Sequence, residues 1–207
     1  MELNKISVFI DGISEEGALK AWFSKNFSSQ CPNFVRTCGN GKDYSIETFI
    51  EKEFQKVLLC LSKNSRHIIF IPDFEKREKN GMTLNTFITQ LKAGMVEICA
   101  SNSRFKPEQL NKILHFCSPN IMFENWIVAD IDGIKQSIIK IKGEQQNYDG
   151  KNGSSVLRNM MGEVKYLKTT HAKILYKQVR GFVASQNSPS FKLFFDTIQG
   201  IASMSDE

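Results

Sequence analysis

The stretch "SVFIDGISEEGALKAWF" (7–23) contains a strand, a tight turn and the start of a helix. Its first half is apolar and partly β-branched, as in a buried strand, and the apolar residues of its second half are spaced for one helix face. Three carboxylates, Asp11, Glu15 and Glu16, surround the turn. They are compatible with ordinary stabilisation of a helix N-terminus, or with a metal site at the carboxyl edge of a sheet.

The alternation of strand and helix patterns continues along the first half of the chain. Strands are predicted over 5–10, 33–41, 66–74 and 112–117, and helices over 14–27, 45–62 and 83–100. Because parallel neighbours require crossovers, this order predicts about four mostly parallel strands flanked by helices. The strand signal then fades, and helices are predicted over 123–142, 154–161, 169–180 and 188–204. We therefore expect an α/β core over 1–120, with a helical C-terminal region over 121–207 packed on the same domain.

The composition excludes several classes of protein. A chain of 207 residues is long enough for one well-packed domain. No apolar run approaches the roughly 18 residues that suggest a membrane span, and the start "MELNKISVFIDG" lacks the features of a secretory signal. The five cysteines are scattered and form no CxxC pair, which disfavours a zinc ribbon and a disulfide framework. The sequence thus predicts a cytoplasmic protein with reduced thiols and no membrane association.

The positive charge is concentrated in the second half of the chain. The net charge is +5, yet the segment 135–180 alone contains ten Lys or Arg residues and three acids, so the remainder is slightly acidic. A solvated, lysine-rich helical face gives this count. A basic surface for a polyanion beside an acidic metal site gives it equally, and both interpretations stay open.

Acidic residues follow three of the four predicted strands. Asp11 follows the first strand, Asp73 and Glu75 follow the third, and Glu124 comes shortly after the fourth. The carboxyl ends of parallel strands share one edge of the sheet, where ligands of open α/β folds bind. Clustered carboxylates repel one another, and a divalent cation offsets this repulsion. We therefore predict a Mg²⁺ or Mn²⁺ site with Asp11, Asp73, Glu75 and Glu124 as ligands.

Several motifs resemble the Toprim domain, and together they extend over nearly the whole chain. "FIDGISEE" (9–16) followed by "FIPDFE" (70–75) resembles its strand ending in an acid–Gly turn and its later strand ending in an acid-x-acid pair. "FENWIVAD" (123–130), "YLKTTHAKIL" (166–175) and "SPSF" (188–191) resemble a small stand-alone branch related to OLD-family nucleases and bacterial defence proteins. These C-terminal motifs are the more specific part of the resemblance.

The resemblance assigns positions to the acids. Asp11 stands where the family has its first glutamate, Glu15 where it has the second acid of that motif, and Glu124 where it has a later glutamate. Asp73 and Glu75 match the family's acid pair. The implied activity is metal-dependent hydrolysis of DNA or RNA, in prokaryotic defence or a mobile element, with an ATPase as a partner protein.

The resemblance also points to the Lys/His-containing helix. Lys168 and His171 would contact phosphate there, although an exposed lysine and a structural histidine give the same pattern. The predicted catalytic residues are therefore Asp11, Glu15, Glu124, Lys168 and His171.

Two departures from the family pattern bear on activity. Asp11 is one methylene shorter than glutamate, and Glu75 is one methylene longer than aspartate, which changes the reach of both carboxylates. A catalytically inactive Toprim-like module that binds nucleic acid or assembles with an ATPase is therefore the alternative. Nucleotidyl transfer, as in primases, is a third interpretation, which the short chain without an obvious template-binding module disfavours. The sequence leaves the oligomeric state open.

Overall fold

A four-stranded parallel sheet lies at the centre of the fold. The computed structural model describes residues 3–27, 30–38, 44–75 and 81–203. The strand order is β2-β1-β3-β4, and β1 pairs with β2 and β3 on its two sides. The predicted α/β fold with four parallel strands is confirmed. The strands are β1 Ile6–Ile10, β2 Asn33–Arg36, β3 His67–Ile71 and β4 Leu114–Phe116.

Helices flank this sheet and continue through the C-terminal region. The hydroxyls of Ser45 and Thr83 cap two of them by accepting the backbone N–H groups of Thr48 and Thr86. Short 3₁₀ helices cover Leu3–Lys5 and Val128–Asp130. The α-helices are α1 Ile13–Asn26, α2 Ile46–Ser62, α3 Leu84–Ser101, α4 Pro107–Ile113, α5 Glu124–Ile127, α6 Ile131–Ile134, α7 Gly153–Met161, α8 Lys168–Tyr176, α9 Gly181–Asn187 and α10 Pro189–Ser203.

The two faces of the sheet belong to two hydrophobic clusters. Side chains alternate along β1, so that Val8 lies in one cluster and Phe9 in the other. The Phe9 cluster contains buried residues of α2, α3 and α4. The Val8 cluster contains buried residues of α1 and of the region 121–207, including the fully buried Trp22 and Trp126. The C-terminal region therefore supplies most of the cover for one face of the sheet.

The prediction of a continuous helix over 123–142 is wrong. The segment forms α5, a 3₁₀ turn and α6, and residues 135–142 are not helical. The fully buried carboxylate of Asp130 accepts hydrogen bonds from the backbone N–H of Gly133 and from the backbone and guanidinium of Arg180. This tertiary ion pair holds the chain in a turn where the apolar periodicity alone predicts a helix.

Several further boundaries differ from the prediction. The strands expected over 33–41 and 66–74 end at Arg36 and Ile71, and the helix expected over 169–180 covers Lys168–Tyr176. The strand expected over 112–117 begins at Leu114, because α4 precedes it with Pro107 in the first turn, where its missing N–H costs no helical hydrogen bond. The helix expected over 188–204 begins at Pro189, and α9 lies ahead of it. The predicted strand residues 39–41 lie outside the described residues. Within the described ranges, no helix is long and apolar enough to cross a membrane.

The strand order creates a topological switch point between β1 and β3. From β1 the chain moves to β2 on one side and then crosses back to β3 on the other. In open α/β sheets, a crevice forms at such a point outside the carboxyl ends of the strands. Asp11 and Asp73 follow these two strands, so the predicted acidic site falls at the switch point.

Candidate active site

Asp11 connects the ends of three strands. One of its carboxylate oxygens accepts a hydrogen bond from the hydroxyl of Thr37, which follows β2. The other accepts the backbone N–H of Asp73, which follows β3, at 3.0 Å. Asp11 itself follows β1 directly, so its carboxylate fixes the relative positions of all three turns.

The two neighbouring acids of the first helical turn lie in different environments. Glu15 is buried, and its carboxylate lies against Gly12, where an added Cβ would come within 2.3 Å of a carboxylate oxygen. Glu16 instead bonds Lys20 at 2.5 Å and Arg36 at 2.8 Å, away from the cluster. The hydrogen bond from Lys20, assisted by Arg36, holds the pKa of Glu16 below its usual value. Only Glu15 therefore contributes to the site.

Glu124 enters the same site from the first residue of α5. It is buried, and its backbone packs against Gly153, where an added Cβ would lie 2.8 Å from the Glu124 carbonyl carbon. The buried hydroxyl of Tyr166 donates a hydrogen bond to the Glu124 carboxylate at 3.2 Å. Burial, reinforced by this carboxylate, raises the pKa of Tyr166, so the phenol remains a donor.

Lys168 begins α8 and lies between two of the acids. Its ammonium is 2.5 Å from the Glu15 carboxylate and 3.7 Å from that of Glu124. Burial alone would lower the pKa of Lys168, but the charges of Glu124, Asp73 and Glu15 raise it overall. Lys168 is therefore a fixed positive charge inside the acidic cluster.

The pKa of Asp73 depends on its burial and on the charges around it. Burial and the neighbouring carboxylates of Asp11, Glu15 and Glu124 together raise the pKa of Asp73 to about 8, against the lowering effect of Lys168. The positive charge of Lys168 thus offsets only part of the combined effect of burial and the other three carboxylates on Asp73. A divalent cation bound beside Asp73 would lower this pKa.

Two predicted site residues are not shown to join the cluster. Glu75 is half-buried, and within the described residues its carboxylate makes no hydrogen bond or ion pair. The Nδ1 atom of His171 accepts the backbone N–H of Leu167 at 3.0 Å, and its ring lies 6.0 Å from that of Tyr166. His171 therefore supports the start of α8, beside the acids rather than among them.

The donor set fits a hard divalent cation in its chemistry. Carboxylate oxygens are the ligands that Mg²⁺ prefers, and burial together with the charges of Asp11, Glu15 and Glu124 raises the pKa of Asp73. Asp11 and Asp73 would hold such an ion, joined by Glu124. In the described part of the chain, however, no group of three or more His, Cys, Asp or Glu side chains is arranged to hold a metal.

Sequence reasoning missed two residues that contact the acids. Thr37 follows β2 at the same sheet edge, and this position alone was the signal that could have identified it. Tyr166 precedes Lys168 by two residues in the motif "YLKTTHAKIL", but only the fold shows that its hydroxyl reaches Glu124.

No protein-family model matches this chain, and no curated protein or solved structure is significantly similar to it. The likeness to Toprim domains is therefore carried by the sequence motifs, and the relationship stays a prediction.

Proposed function

We propose that the protein is a Mg²⁺- or Mn²⁺-dependent nuclease of Toprim type that hydrolyses phosphodiester bonds of DNA or RNA. The main support is the meeting of Glu15, Asp73 and Glu124 around Lys168, with Asp11 beside Asp73, at the switch point of the sheet. Clustered carboxylates at a partly buried site repel one another and cost stability. A carboxyl group with a strongly raised pKa, such as that of Asp73, is therefore typical of functional sites.

The metal ion, when bound, stabilises negative charge on the phosphoryl oxygens and activates a water molecule. Asp11 is suited to hold it because Thr37 and the Asp73 backbone fix its carboxylate in place. The pKa of Asp73 would fall beside an added cation, which makes its carboxylate available as a second ligand.

Lys168 has the chemistry to contact the scissile phosphate. Its ammonium is held by Glu15, and a positive donor fixed beside the reacting group stabilises the charge that develops in the transition state. Glu124, with Tyr166 bonded to one oxygen, completes the site or orients the attacking water. The basic segment 135–180 carries the charge that a polyanionic substrate requires.

The second candidate is a catalytically inactive nucleic-acid-binding or assembly module, as a partner of an ATPase. One observation favours it: Lys168 already pairs with Glu15 and Glu124, and no three-ligand group occurs among the described side chains. In such a module the lysine would replace the metal permanently.

Cleavage of labelled DNA and RNA with Mg²⁺, Mn²⁺ or EDTA separates the two candidates. We expect Asp73→Asn and Glu15→Gln to slow cleavage by about 10²-fold or more, the lower range for loss of an acid–base group. Glu16→Gln is the matched control, because Glu16 is adjacent in sequence but bonds Lys20 and Arg36.

Equal behaviour of the wild type and Asp73→Asn with every divalent ion and both substrates would reject the nuclease. Binding of nucleic acid, or capture of an ATPase, without any cleavage would then support the module.

A further inference from the structure

Helices α1 and α8 lie side by side and run in the same direction. At their starts Glu15 contacts Lys168 at 2.5 Å. At their ends Lys25 donates a hydrogen bond to Gln178, just past α8, at 2.7 Å. The indole N–H of Trp22 bonds the carbonyl of Val179 at 3.0 Å in the same region. Both helices therefore lead away from the acidic cluster.

A groove lies on the surface of this helix pair, with a volume of about 470 Å³. Gly17 lies in the N-terminal half of α1, so the groove begins toward the end of the helix pair where Glu15 and Lys168 are found. An added Cβ at Gly17 would meet no atom within 4 Å, which shows that the groove is open there. No acid lines it within the described part of the chain. The lining residues are Gly17, Lys20, Ala21, Ser24, Cys31, Lys173 and Lys177.

The groove carries positive charge that is available to a ligand. Lys173 and Lys177 are exposed, one helical turn apart on the same face of α8. Neither ammonium pairs with a carboxylate among the described residues. Lys20 shares Glu16 with Arg36, so this trio is also positive overall.

We propose that one strand of nucleic acid passes along this groove from the acidic cluster, with its phosphates bound by Lys173 and Lys177. This inference rests on the proposed function and adds the path and the form of the substrate. The axes of packed helices lie about 8–10 Å apart, so the groove between them is narrow and suits a single strand better than a duplex. The small side chains of Gly17, Ala21 and Ser24 allow the sugar–phosphate backbone to approach closely.

The test is fluorescence anisotropy with labelled single-stranded DNA, single-stranded RNA and duplex DNA, in EDTA to prevent cleavage. We expect the double variant Lys173→Gln/Lys177→Gln to bind single strands more weakly. The slope of the logarithm of the binding constant against the logarithm of the salt concentration should become shallower by about 1.4, because each lost phosphate contact contributes about 0.7 for single strands. Lys140→Gln/Lys142→Gln removes the same charge from two exposed lysines outside the groove and should keep the wild-type slope.

A second pair of variants tests the groove without deleting a lysine. Gly17→Glu introduces a negative charge where a side chain fits, and Gly17→Gln introduces a neutral side chain of the same shape. Both remove a glycine from a helix interior, so folding should not suffer. We expect the glutamate variant to bind single strands at least tenfold more weakly than the glutamine variant.

Unchanged affinity and salt slope in Lys173→Gln/Lys177→Gln would overturn the proposal that the strand binds in this groove. An equal loss of affinity in Lys140→Gln/Lys142→Gln would also overturn it, as would equally tight binding of the duplex by the wild type. Wild-type protein that binds single strands through these lysines but cleaves nothing would support the groove and reject the nuclease. The tighter of the two single-stranded complexes shows whether the groove prefers DNA or RNA.

Discussion

The ammonium of Lys168 lies 2.5 Å from the Glu15 carboxylate and 3.7 Å from that of Glu124, inside an acidic cluster at the carboxyl edge of the sheet. It therefore joins the first motif of the chain to two motifs near its C-terminus. A lysine and a metal ion compete for the same carboxylate charge, while a phosphate attracts both. Lys168 should therefore weaken metal binding while it assists catalysis, and the two effects can be measured separately.

We expect Lys168→Gln to bind Mn²⁺ more tightly and to lose cleavage. Removal of the ammonium frees Glu15 and Glu124 from their ion pairs with Lys168, so the metal affinity should rise by about tenfold, or about 1.4 kcal/mol. Cleavage should fall because the positive donor beside the phosphate is gone. Calorimetric titration with Mn²⁺ and a cleavage assay measure the two effects. Lys165→Gln, at an exposed lysine nearby, is the control.

Weaker Mn²⁺ binding by Lys168→Gln would contradict this account, because the lysine would then help to build the metal site instead of competing with it.

The pKa of Asp73 predicts how stability depends on pH. Because its native pKa is raised to about 8, the folded state binds this proton more tightly than the unfolded chain does. The stability that the proton contributes is complete below about pH 4, the unfolded pKa. It is lost as pH rises toward 8. Asp73→Asn cannot ionise, so in EDTA it should melt above the wild type by a widening margin between pH 4 and pH 8.

The expected margin at pH 8 is several degrees, since each kcal/mol shifts the melting midpoint by roughly 2–4 °C in a domain of this size. Asp132→Asn, at an exposed acid, should show no such trend. A constant difference between Asp73→Asn and the wild type across this pH range would mean that the carboxylate is ionised in the native state.

The acids at the sheet edge were predictable because they depend on local pattern and on one topological rule. Apolar runs marked β1 and β3, and the end of each run placed Asp11 and Asp73 at the same edge once the strands were known to be parallel. Glu124 was expected at this edge because it comes shortly after the fourth predicted strand, in a motif that resembles Toprim proteins. In each case a short sequence segment contained the whole signal.

The partners of those acids were not predictable in the same way. Lys168 reaches Glu15, and Arg180 reaches Asp130, only because distant helices pack together. The second of these pairs also stops the helix that the pattern 123–142 indicates. Periodicity gives the face of a segment that is buried, but it does not give the side chain that the segment will meet.

Gly12 and Gly17 should respond differently to alanine. An added Cβ at Gly12 would lie 2.3 Å from a Glu15 carboxylate oxygen, whereas at Gly17 it would meet nothing within 4 Å. Gly12→Ala should therefore displace Glu15 from Lys168 and reduce cleavage by about tenfold or more, since small misplacements of catalytic groups are costly. Gly17→Ala should leave the contact between Glu15 and Lys168 in place and stabilise α1 by up to about 1 kcal/mol. Urea unfolding and the cleavage assay measure both, and equal activity of the two variants would show that the position of Glu15 is not critical.

Tyr166 and Tyr176 are both buried, but only one of their hydroxyls has a partner. Tyr166 donates a hydrogen bond to Glu124, whereas the Tyr176 hydroxyl has no partner within the described residues. Tyr166→Phe should therefore cost about 1.5–3 kcal/mol of unfolding free energy, the range for hydrogen bonds to charged groups. Tyr176→Phe should be neutral or stabilising by about 1 kcal/mol, because a buried polar atom without a partner is removed. Urea unfolding in EDTA measures both variants. A loss at Tyr176 as large as that at Tyr166 would contradict this prediction, because it would show that the Tyr176 hydroxyl also has a hydrogen-bond partner.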